Sequence, residues 1–586
     1  MPEPALPPGW PAMSIDQAHA LLTQPGSPLE TEEIVIRGVP MKVWKNAPPS
    51  LRAVVEASRA HGEKVFLVYE DERVSYEAFF RAVARLANAM ADEGVVKGDR
   101  VAVIMRNVPE WAVAFYAAAS LGAIVTPLNA WWTGPELEYG LTDSGAKIAV
   151  VDAERYERLT EHLHNCPELV RVYVSRDQAE EIAHPLVTKL ESVIGAPNDW
   201  KHLPDAALPP AEIGPEDDAT ICYTSGTTGR PKGALATNRA VNTAVLTGAA
   251  AGARSFLRKG EAPPSLDPDA PQRSSLISVP FFHVTGLMAI LNPSLFGGAK
   301  LVMMYKWDPI RAFELIEREK IQAAGGVPTI AWQLIEHPAR QNYDLSSLES
   351  VAYGGAPSAP ELVRRLRETF PKSQPGQGWG MTETCATVTS NGAEDYVNRP
   401  DSCGPAAAVA KLEIRDPEDG RTILPPGQVG ELWSFGPMNC KGYWNKPEAT
   451  AQTYVEGWVR TGDLARVDED GFCFIIDRAK DMLIRGGENI YCVEVENVLY
   501  DHPAVMDAAI VGIPHRTLGE EPAAVVTLKP GSEASEEELR TFVAERLAAF
   551  KVPVKVIIKH ETLPRNPNGK ILKNELKKLF LEEQAA

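Results

Sequence analysis

The residues that most directly suggest chemistry lie between positions 223 and 234, in the segment YTSGTTGRPKGA. Its glycines let backbone N–H groups approach an oxyanion, while its hydroxyl groups and Lys232 add donors and a positive charge. The segment differs from the P-loop of nucleotide triphosphatases, because Pro231 precedes Lys232 and the following GALAT has the composition of a short strand. It predicts either a phosphate-binding loop or an ordinary polar surface loop.

Four more side chains have chemical uses, and each also has a purely structural alternative. In GWGMTET (378–384), Glu383 suits Mg²⁺ and Thr382 suits a phosphate oxygen, but the same pair is typical of a helix N-terminus. Asp463, in WVRTGD, suits either a ribose diol or the end of a turn. Lys570 follows an Asn-Gly pair, which places it either on a rigid tip or on the solvated surface.

The composition narrows the classes of partner and compartment. A chain of 586 residues is too long for one core, and its net charge of −19 argues against nucleic acid or an anionic membrane as a partner. The last 36 residues are locally basic, with eight Lys or Arg against four Glu. Seven dispersed cysteines without a Cys-x-x-Cys pair, and a beginning without a signal-peptide pattern, predict a cytoplasmic protein with reduced thiols and no zinc site.

One uncharged stretch, residues 111–128, is about long enough to span a bilayer. Gly122 interrupts it and Pro127 ends it, which indicates a buried helix followed by a buried strand. The sequence therefore predicts no membrane span.

The elements that must position the reactive residues alternate between strand and helix. Short β-rich runs at 99–105, 147–153, 274–280 and 299–304 are separated by helical stretches, which predicts parallel sheets covered by helices. The fold class is α/β, with two α/β lobes and, near 395–475, a small β-barrel-like part or distorted sheet. A mobile α+β unit of about 105 residues is predicted to follow.

These patterns divide the chain into four predicted parts. Residues 1–50 contain ten prolines and are predicted to form a wrapping or partly mobile arm. Residues 51–476 form the large domain, 477–481 a polar hinge, and 482–586 the small C-terminal domain. The Pro-rich segment 259–272 is predicted to be a surface loop.

Glycines follow several of the predicted strands. PFFHVTG (280–286), GGVPT (325–329), YGGAP (353–357) and GWGMTET come after successive strands of the second series. One such glycine indicates only a tight turn. Because ligands bind at the carboxyl ends of parallel strands, the set predicts a groove where backbone lies close to a flat ligand.

At this point the chain resembles the acyl-adenylate-forming superfamily, which includes acyl-CoA synthetases, adenylation domains of peptide synthetases and luciferases. The resemblance covers roughly residues 50–575, and seven motifs occur in the family's order. They are YTSGTTGRPKG, YGGAP, GWGMTET, GELWSFGPMNCKGYWNKPEAT (430–450), WVRTGD (458–463), DRAKDMLIRGGENI (477–490) and PRNPNGK (564–570).

The resemblance implies an AMP-forming ligase that uses ATP, Mg²⁺ and coenzyme A. A carboxylate attacks the α-phosphorus of MgATP to give acyl-AMP and pyrophosphate, and a thiol then takes the acyl group and releases AMP. The implied catalytic residues are Lys570, Thr382, Glu383, Lys232 and His283, with Glu383 as the metal ligand.

The resemblance also implies the binding sites. The implied ATP and AMP contacts are Thr224, Ser225, Gly226, Thr227, Thr228, Gly229, Lys232, Gly354, Gly355, Ala356, Pro357, Gly378, Trp379, Gly380, Met381, Thr382, Asp463, Arg478 and Lys570. The implied acyl pocket is His283, Gly286, Leu287, Gly325, Gly326 and Val327, where glycines and apolar residues leave room for an acyl chain. Coenzyme A is assigned to Gly486, Gly487, Glu488 and Asn489, and the hinge to Lys480. Cys492 departs from the pattern, because many relatives have proline there.

The acid and its acceptor are inferred by comparison within the family. Amino-acid-activating relatives carry an aspartate where this chain has His283 and Val284, which disfavours amino acids. No carrier domain follows Lys570, so free coenzyme A is the expected acceptor and a hydrophobic acid the expected substrate. A ligase that delivers acyl-AMP to a separate carrier protein, a luciferase-like oxygenase and a catalytically silent nucleotide-binding relative remain alternatives. The sequence leaves open whether the chain forms a homodimer.

Overall fold

The computed structural model describes residues 9–179, 182, 184–224, 230–264, 270–355, 358, 360–479, 481–486, 488–566 and 569–585. The α-helices in these ranges are α1 Ile15–Leu22, α2 Leu51–Ser58, α3 Tyr76–Asp92, α4 Pro109–Ser120, α5 Gly134–Ser144, α6 Ala153–Leu159, α7 Glu191–Ile194, α8 Asn238–Arg258, α9 Asn292–Gly297, α10 Pro309–Glu319, α11 Pro328–Glu336, α12 Pro360–Thr369, α13 Ala393–Asn398, α14 Pro447–Thr453, α15 Cys492–Tyr500, α16 Glu536–Ala544 and α17 Lys573–Ala585.

The strands in the same ranges are β1 Thr31–Ile36, β2 Val39–Trp44, β3 Val65–Tyr69, β4 Glu72–Ser75, β5 Arg100–Ile104, β6 Ile124–Pro127, β7 Ala146–Asp152, β8 Arg171–Ser175, β9 Val187–Lys189, β10 Asp218–Tyr223, β11 Gly233–Thr237, β12 Ser274–Ile277, β13 Lys300–Met303, β14 Ala323–Gly326, β15 Ser350–Gly354, β16 Gln374–Met381, β17 Ala386–Gly392, β18 Gly404–Pro405, β19 Lys411–Arg415, β20 Gly430–Phe435, β21 Gly442–Tyr443, β22 Tyr454–Val455, β23 Trp458–Val467, β24 Phe472–Arg478, β25 Leu483–Arg485, β26 Glu488–Ile490, β27 Val505–His515, β28 Gly519–Leu528 and β29 Lys555–Lys559.

Two large sheets form the main body. Within the described residues, the first has the strand order β21-β11-β10-β6-β5-β7-β8-β9 and the second β17-β16-β15-β14-β12-β13-β3-β4. The central strands of both sheets run parallel, and antiparallel pairs close their ends. This arrangement confirms the prediction of two α/β lobes.

The main core lies around the helices between these sheets. Every residue of α4 is buried, and Trp111 and Phe115 stack with their ring centroids 5.4 Å apart. The chain then turns into buried β6, so the stretch 111–128 is a helix followed by a strand, as predicted. Among the described helices, none combines the length and the apolar character that crossing a membrane requires.

A third, antiparallel sheet follows the second lobe, with the order β18-β24-β23-β20-β19 and β22 paired to β23. The sequence predicts this change to short strands. The predicted hinge begins inside this sheet, because 477 and 478 are the last two residues of β24. Asp463 on β23 lies opposite Arg478 on β24.

The described part of the N-terminal segment, residues 9–50, has regular structure that the sequence analysis did not predict. It contains α1 and the β1–β2 hairpin, and Ile15 of α1 packs against Phe472 and Phe474. The Trp44 indole N–H donates to Thr247 Oγ1 at 3.2 Å. Five of the six prolines in this described part lie in connections, so a high proline content did not exclude these elements.

The C-terminal part is a small α+β unit. Its sheet has the order β26-β25-β28-β27, and β29 runs parallel to β28. Helices α15 and α16 cover one face of this sheet, and α17 covers the other.

Candidate active site

The ends of β10 and β11 form the base of the predicted phosphate loop. The Thr224 N–H donates to Lys232 O at 2.9 Å, and the Lys232 N–H donates to Thr224 Oγ1 at 3.4 Å. These bonds close the β10–β11 hairpin on the strand side of the predicted loop. Of the predicted site residues, Ser225, Gly226, Thr227, Thr228, Gly229, Ala356, Pro357, Lys480 and Gly487 lie outside the described residues.

Glu383 lies beside this base, in a short helical turn that follows β16. Its side chain is buried, and Tyr443 donates its O–H to Glu383 Oε1 at 2.6 Å. Lys232 Nζ lies 4.5 Å from the centroid of the Tyr443 ring. The structure therefore brings Lys232 and Glu383 together through Tyr443.

Tyr443 is a site residue that the sequence analysis missed. It belongs to the segment 430–450 that carries the family resemblance, but no spacing rule connects it with a carboxylate 60 residues away. Strand β21 places it there by pairing with β11. Burial, and then the neighbouring Glu383, raises the pKa of the Tyr443 hydroxyl, so the hydroxyl keeps its proton and acts as a donor.

The residues present fit a magnesium ion bound with nucleotide phosphates. Among the described residues, no group of three or more His, Cys, Asp and Glu side chains is arranged to hold a metal without other ligands. Mg²⁺ in nucleotide sites takes one or two carboxylates and completes its shell with phosphate oxygens and water. Glu383 provides such a carboxylate, and Tyr443 orients it through one of its two oxygens.

The predicted adenine and ribose residues meet at the junction of the second and third sheets. The Trp379 indole N–H donates to Asp463 Oδ2 at 2.8 Å, and Arg478 Nε lies 3.6 Å from Asp463 Oδ1. Trp379 thus orients the carboxylate that the resemblance assigns to ribose. The sequence analysis did not predict this contact, which joins residues 84 positions apart.

The glycines on β15 and β16 let these strands and their neighbours approach closely. A Cβ atom on Gly354 would lie 2.8 Å from Gly378 O, and one on Gly380 would lie 1.5 Å from Ala386 O. A Cβ atom on Gly355 would meet no atom within 4 Å, although its φ of +76° still favours glycine. Thr382 and Met381 precede Glu383, and the Met381 N–H donates to Thr384 Oγ1 at 3.0 Å.

His283 of the large domain lies within electrostatic range of Lys570 of the small domain. Burial, and then the nearby charge of Lys570, lowers the pKa of His283 to about 3. Gly569 packs against the large domain, since a Cβ atom built on it would lie 2.8 Å from Val327 Cγ2. The small domain therefore inserts the turn bearing Lys570 at the carboxyl end of β14.

The glycines of the predicted acyl pocket do not leave open space where a side chain would be. A Cβ atom on Gly286 would lie 2.2 Å from Pro280 O, and one on Gly325 would lie 1.7 Å from Ala352 O. On Gly326 it would lie 2.6 Å from Ser278 Oγ. Leu287 is fully buried in the main core. Backbone packing requires Gly286 and Gly325, and neighbouring side chains fill the space at Gly326, so these glycines do not by themselves make room for an acyl chain.

The residues assigned to coenzyme A lie apart from this cluster. Glu488 and Asn489 are exposed on β26, and the Gly486 N–H donates to Leu518 O at 2.8 Å within the small domain. Within the described part of the chain, no hydrogen bond joins these residues to Lys232 or His283.

Comparison with known proteins identifies the family. The model of the AMP-binding enzyme family matches residues 54–444, and that of the AMP-binding enzyme C-terminal domain matches residues 494–570. The chain belongs to the AMP-binding, adenylate-forming enzymes. It is an acid–thiol ligase that uses ATP, Mg²⁺ and coenzyme A.

The proteins that are similar to this chain include ligases named for different acids. The chain is 34% identical to feruloyl-CoA synthase from Amycolatopsis over 86% of its length and 94% of that protein. It is 33% identical to the long-chain-fatty-acid–CoA ligase FadD13 of Mycobacterium tuberculosis over 91% of its length and 96% of that protein. The structure of o-succinylbenzoate CoA synthetase from Bacillus subtilis, with its acyl-adenylate intermediate, has a TM-score of 0.72 and 28% identity over 90% of this chain and 98% of that one.

Proposed function

We propose that this adenylate-forming ligase activates a hydrophobic carboxylic acid, either a medium- or long-chain fatty acid or a bulky aryl-alkyl acid, and transfers it to coenzyme A. The observation that carries the proposal is the half-buried His283, near which the packing of Gly569 on Val327 brings the positive charge of Lys570. A carboxylate gains from that charge. A second charged group on the acid would have to be buried as well, which is costly.

In the first step, a carboxylate oxygen of the acid attacks the α-phosphorus of ATP. A new P–O bond forms, the bond to the β-phosphate oxygen breaks, and pyrophosphate leaves. Catalysis requires positioning of the two reactants and stabilisation of the charge on the phosphate oxygens. Lys570 supplies that charge from the side of the small domain.

The opposite side of the nucleotide is held by the large domain. Lys232 and Thr224 lie at the base of the phosphate loop, and Glu383 would hold Mg²⁺. The ion supplies charge neutralisation at the phosphates when it is bound. Tyr443 keeps the Glu383 carboxylate in one orientation through the hydrogen bond to its Oε1.

Asp463 and Arg478 bind the ribose hydroxyls in this proposal. Trp379 frames the adenine with its ring and orients Asp463 with its indole N–H. Gly354, Gly355, Gly378, Gly380 and Met381 form the backbone beside the base.

In the second step, the thiol sulfur of coenzyme A attacks the acyl carbon, a C–S bond forms, and the C–O bond to AMP breaks. The thiol proton passes to solvent or to the departing phosphate. His283 is neutral at physiological pH because of its low pKa, so it can contact a carboxylate or thiol without adding charge. Gly486, Glu488 and Asn489 are proposed to contact coenzyme A after the small domain rotates.

An acid panel tests this proposal. Saturated fatty acids of increasing length and cinnamic acids of increasing bulk are offered with ATP, Mg²⁺ and coenzyme A, while pyrophosphate and AMP release are measured separately. Burial of one CH₂ group is worth about 0.8 kcal/mol, so KM is expected to fall about fourfold per added methylene until the pocket is full.

Each alternative gives a different result in this panel. Preference for a dicarboxylate or an amino acid would overturn the hydrophobic acid. Release of pyrophosphate without consumption of coenzyme A would indicate delivery to a carrier protein. Absence of pyrophosphate release with every acid would indicate a silent nucleotide-binding protein.

A further inference from the structure

The place where the two domains join contains a contact that none of the assigned roles explains. Asp477 lies on β24, opposite Leu464 of β23, and therefore belongs to the rigid sheet of the large domain. Its carboxylate is buried and points towards the small domain. There, Asp477 Oδ2 accepts a hydrogen bond from the backbone N–H of Cys492.

Cys492 is the first residue of α15, where a helix has backbone donors without partners inside the helix. Tyr491, which precedes it, is extended, and its own side chain makes no capping hydrogen bond. Asp477 thus acts as the cap of a helix that belongs to the other domain. Proline is common at such a first position because it has no N–H to satisfy. With cysteine, this chain has an N–H that needs an acceptor.

Asp477 is surrounded by charged and polar groups of both domains. Lys573 Nζ, at the start of α17, lies 2.8 Å from Glu496 Oε1 on α15, and both charges act on Asp477. The Arg478 N–H also donates to Asp477 Oδ1, at 2.8 Å. Burial raises the pKa of Asp477 to about 6, against the opposing effect of Lys573. Each hydrogen bond that the buried Asp477 carboxylate accepts offsets part of the free-energy cost of its burial.

The same orientation of the small domain brings Lys570 to the reaction site. Gly569 packs on Val327, and the charge of Lys570 acts on His283. The Asp477–Cys492 hydrogen bond and the packing of Gly569 on Val327 are two separate contacts between the large and the small domain. Both contacts must break if the small domain rotates about the implied hinge residue Lys480, because Asp477 and Val327 precede that residue while Cys492 and Gly569 follow it.

We propose that Asp477 is a positioning residue that holds the small domain, through the Cys492 N–H, in the orientation that places Lys570 for acyl-AMP formation. The bond favours the first half-reaction over the second. The kinetic consequence of this inference rests on the proposed two-step function. The effect of the contact on domain orientation does not depend on that function.

The test compares Cys492→Pro with Cys492→Ala. Both variants lose the thiol, which donates to Asp481 O at 3.0 Å, but only the proline removes the N–H. The extended conformation of Tyr491 suits a following proline. Relative to Cys492→Ala, Cys492→Pro is expected to slow acyl-AMP formation about tenfold, and to leave thioester formation from supplied acyl-AMP within about twofold.

Asp477→Asn provides a second variant that changes the acceptor while keeping its shape. It is expected to shift the ratio of the two half-reactions in the same direction as Cys492→Pro, and the double variant should add less than the sum of the two. Equal losses in both half-reactions, together with a lower melting temperature, would overturn the proposal. Identical rate ratios for Cys492→Pro and Cys492→Ala would do so as well.

A distance measurement separates this inference from the proposed reaction. Spin labels on cysteines introduced at the exposed positions Arg421 and Glu545 report the separation of the domains, since the described native cysteines are all buried. Without any substrate, Cys492→Ala should keep the wild-type distance distribution and Cys492→Pro should populate a second one. An unchanged distribution in Cys492→Pro would overturn the proposal even if the enzyme is active. A shifted distribution would support it even if no acid is activated.

Discussion

The two sides of the reaction site are held in different ways. On the phosphate side, Lys232, Tyr443 and Glu383 belong to one domain, and buried contacts connect them through the strands β11 and β21. On the other side, Lys570 comes from a separate domain, and its turn contacts the large domain through Gly569 and Val327. The first side is therefore preorganised by the core, while the second depends on how the domains are oriented.

This difference explains why a single fold can serve two half-reactions. Residues needed throughout the cycle are best placed in the rigid body, where packing fixes their side chains. A group needed in one step can be supplied by a body that moves away afterwards. Variants on the two sides should therefore differ in which half-reaction they damage.

The largest effect is expected at Lys570. Lys570→Ala removes the charge supplied by the small domain, and acyl-AMP formation should fall by about a thousandfold. Thioester formation from supplied acyl-AMP should stay near the wild-type rate. Lys578→Ala, an exposed lysine of the same basic segment, is the matched control and should change neither rate. An equal loss of rate in both half-reactions would show that Lys570 does not act in the first half-reaction alone.

A smaller loss is expected for Glu383→Gln, which keeps the shape of the side chain but removes its charge. Acyl-AMP formation should fall by about a hundredfold, and the Mg²⁺ concentration for half-maximal rate should rise. A Mg²⁺ titration of pyrophosphate release measures both quantities. A wild-type rate of pyrophosphate release by Glu383→Gln at limiting Mg²⁺ would show that Glu383 has only a structural role in its helical turn.

A still smaller effect is expected for Tyr443→Phe. The ring near Lys232 is kept, but the hydrogen bond to Glu383 Oε1 is lost, so acyl-AMP formation should fall about tenfold. Tyr454→Phe is the control, because its hydroxyl is buried without a hydrogen-bond partner among the described residues and its ring contacts Tyr443. If both variants lose equal activity, packing around the two rings explains the effect and orientation of Glu383 does not.

The smallest expected effect concerns pH and compares two half-buried histidines. Burial lowers the pKa of both His283 and His19 to about 3, helped by Lys570 in one case and by Arg254 in the other. The unfolded chain gains a proton on each below about pH 6.5 and the folded chain does not, so the free energy of unfolding falls as the pH drops towards 3.

His283→Phe and His19→Phe should therefore both gain melting temperature relative to the wild type as the pH is lowered from about 7 to 5. Only His283→Phe should impair acyl-AMP formation at pH 7, because His19 lies in the N-terminal segment beside α8. A constant difference in melting temperature across this range would contradict the low pKa values.

Much of the fold could be predicted from the sequence because it depends on local patterns. The uncharged stretch 111–128 interrupted by Gly122 became helix α4 followed by β6. The change to short strands after 395 became the antiparallel third sheet. The helix and hairpin within residues 9–50 were missed, since their prolines lie mostly between the elements, where composition alone does not show the order.

The candidate site was predictable where the chemistry lies within one motif. Lys232, Glu383, Asp463 and Lys570 could each be named from residue type and from their place in the family's motif order. The roles of the acyl-pocket glycines could not, since Gly325 contacts the backbone of Ala352 on the neighbouring strand and Gly286 contacts that of Pro280 through a local turn of the chain.

By itself, the sequence determined the family and the α/β class, and it supplied the charged and hydroxyl residues that are proposed to contact the phosphates. The tertiary structure decided which of these residues meet. Tyr443 reaches Glu383 because β21 pairs with β11, and Trp379 reaches Asp463 because two sheets join. Asp477 reaches Cys492 because β24 of the large domain lies beside the start of α15 of the small domain. Periodicity and propensity act over a few residues, whereas such contacts depend on strand pairing and domain orientation over the whole chain.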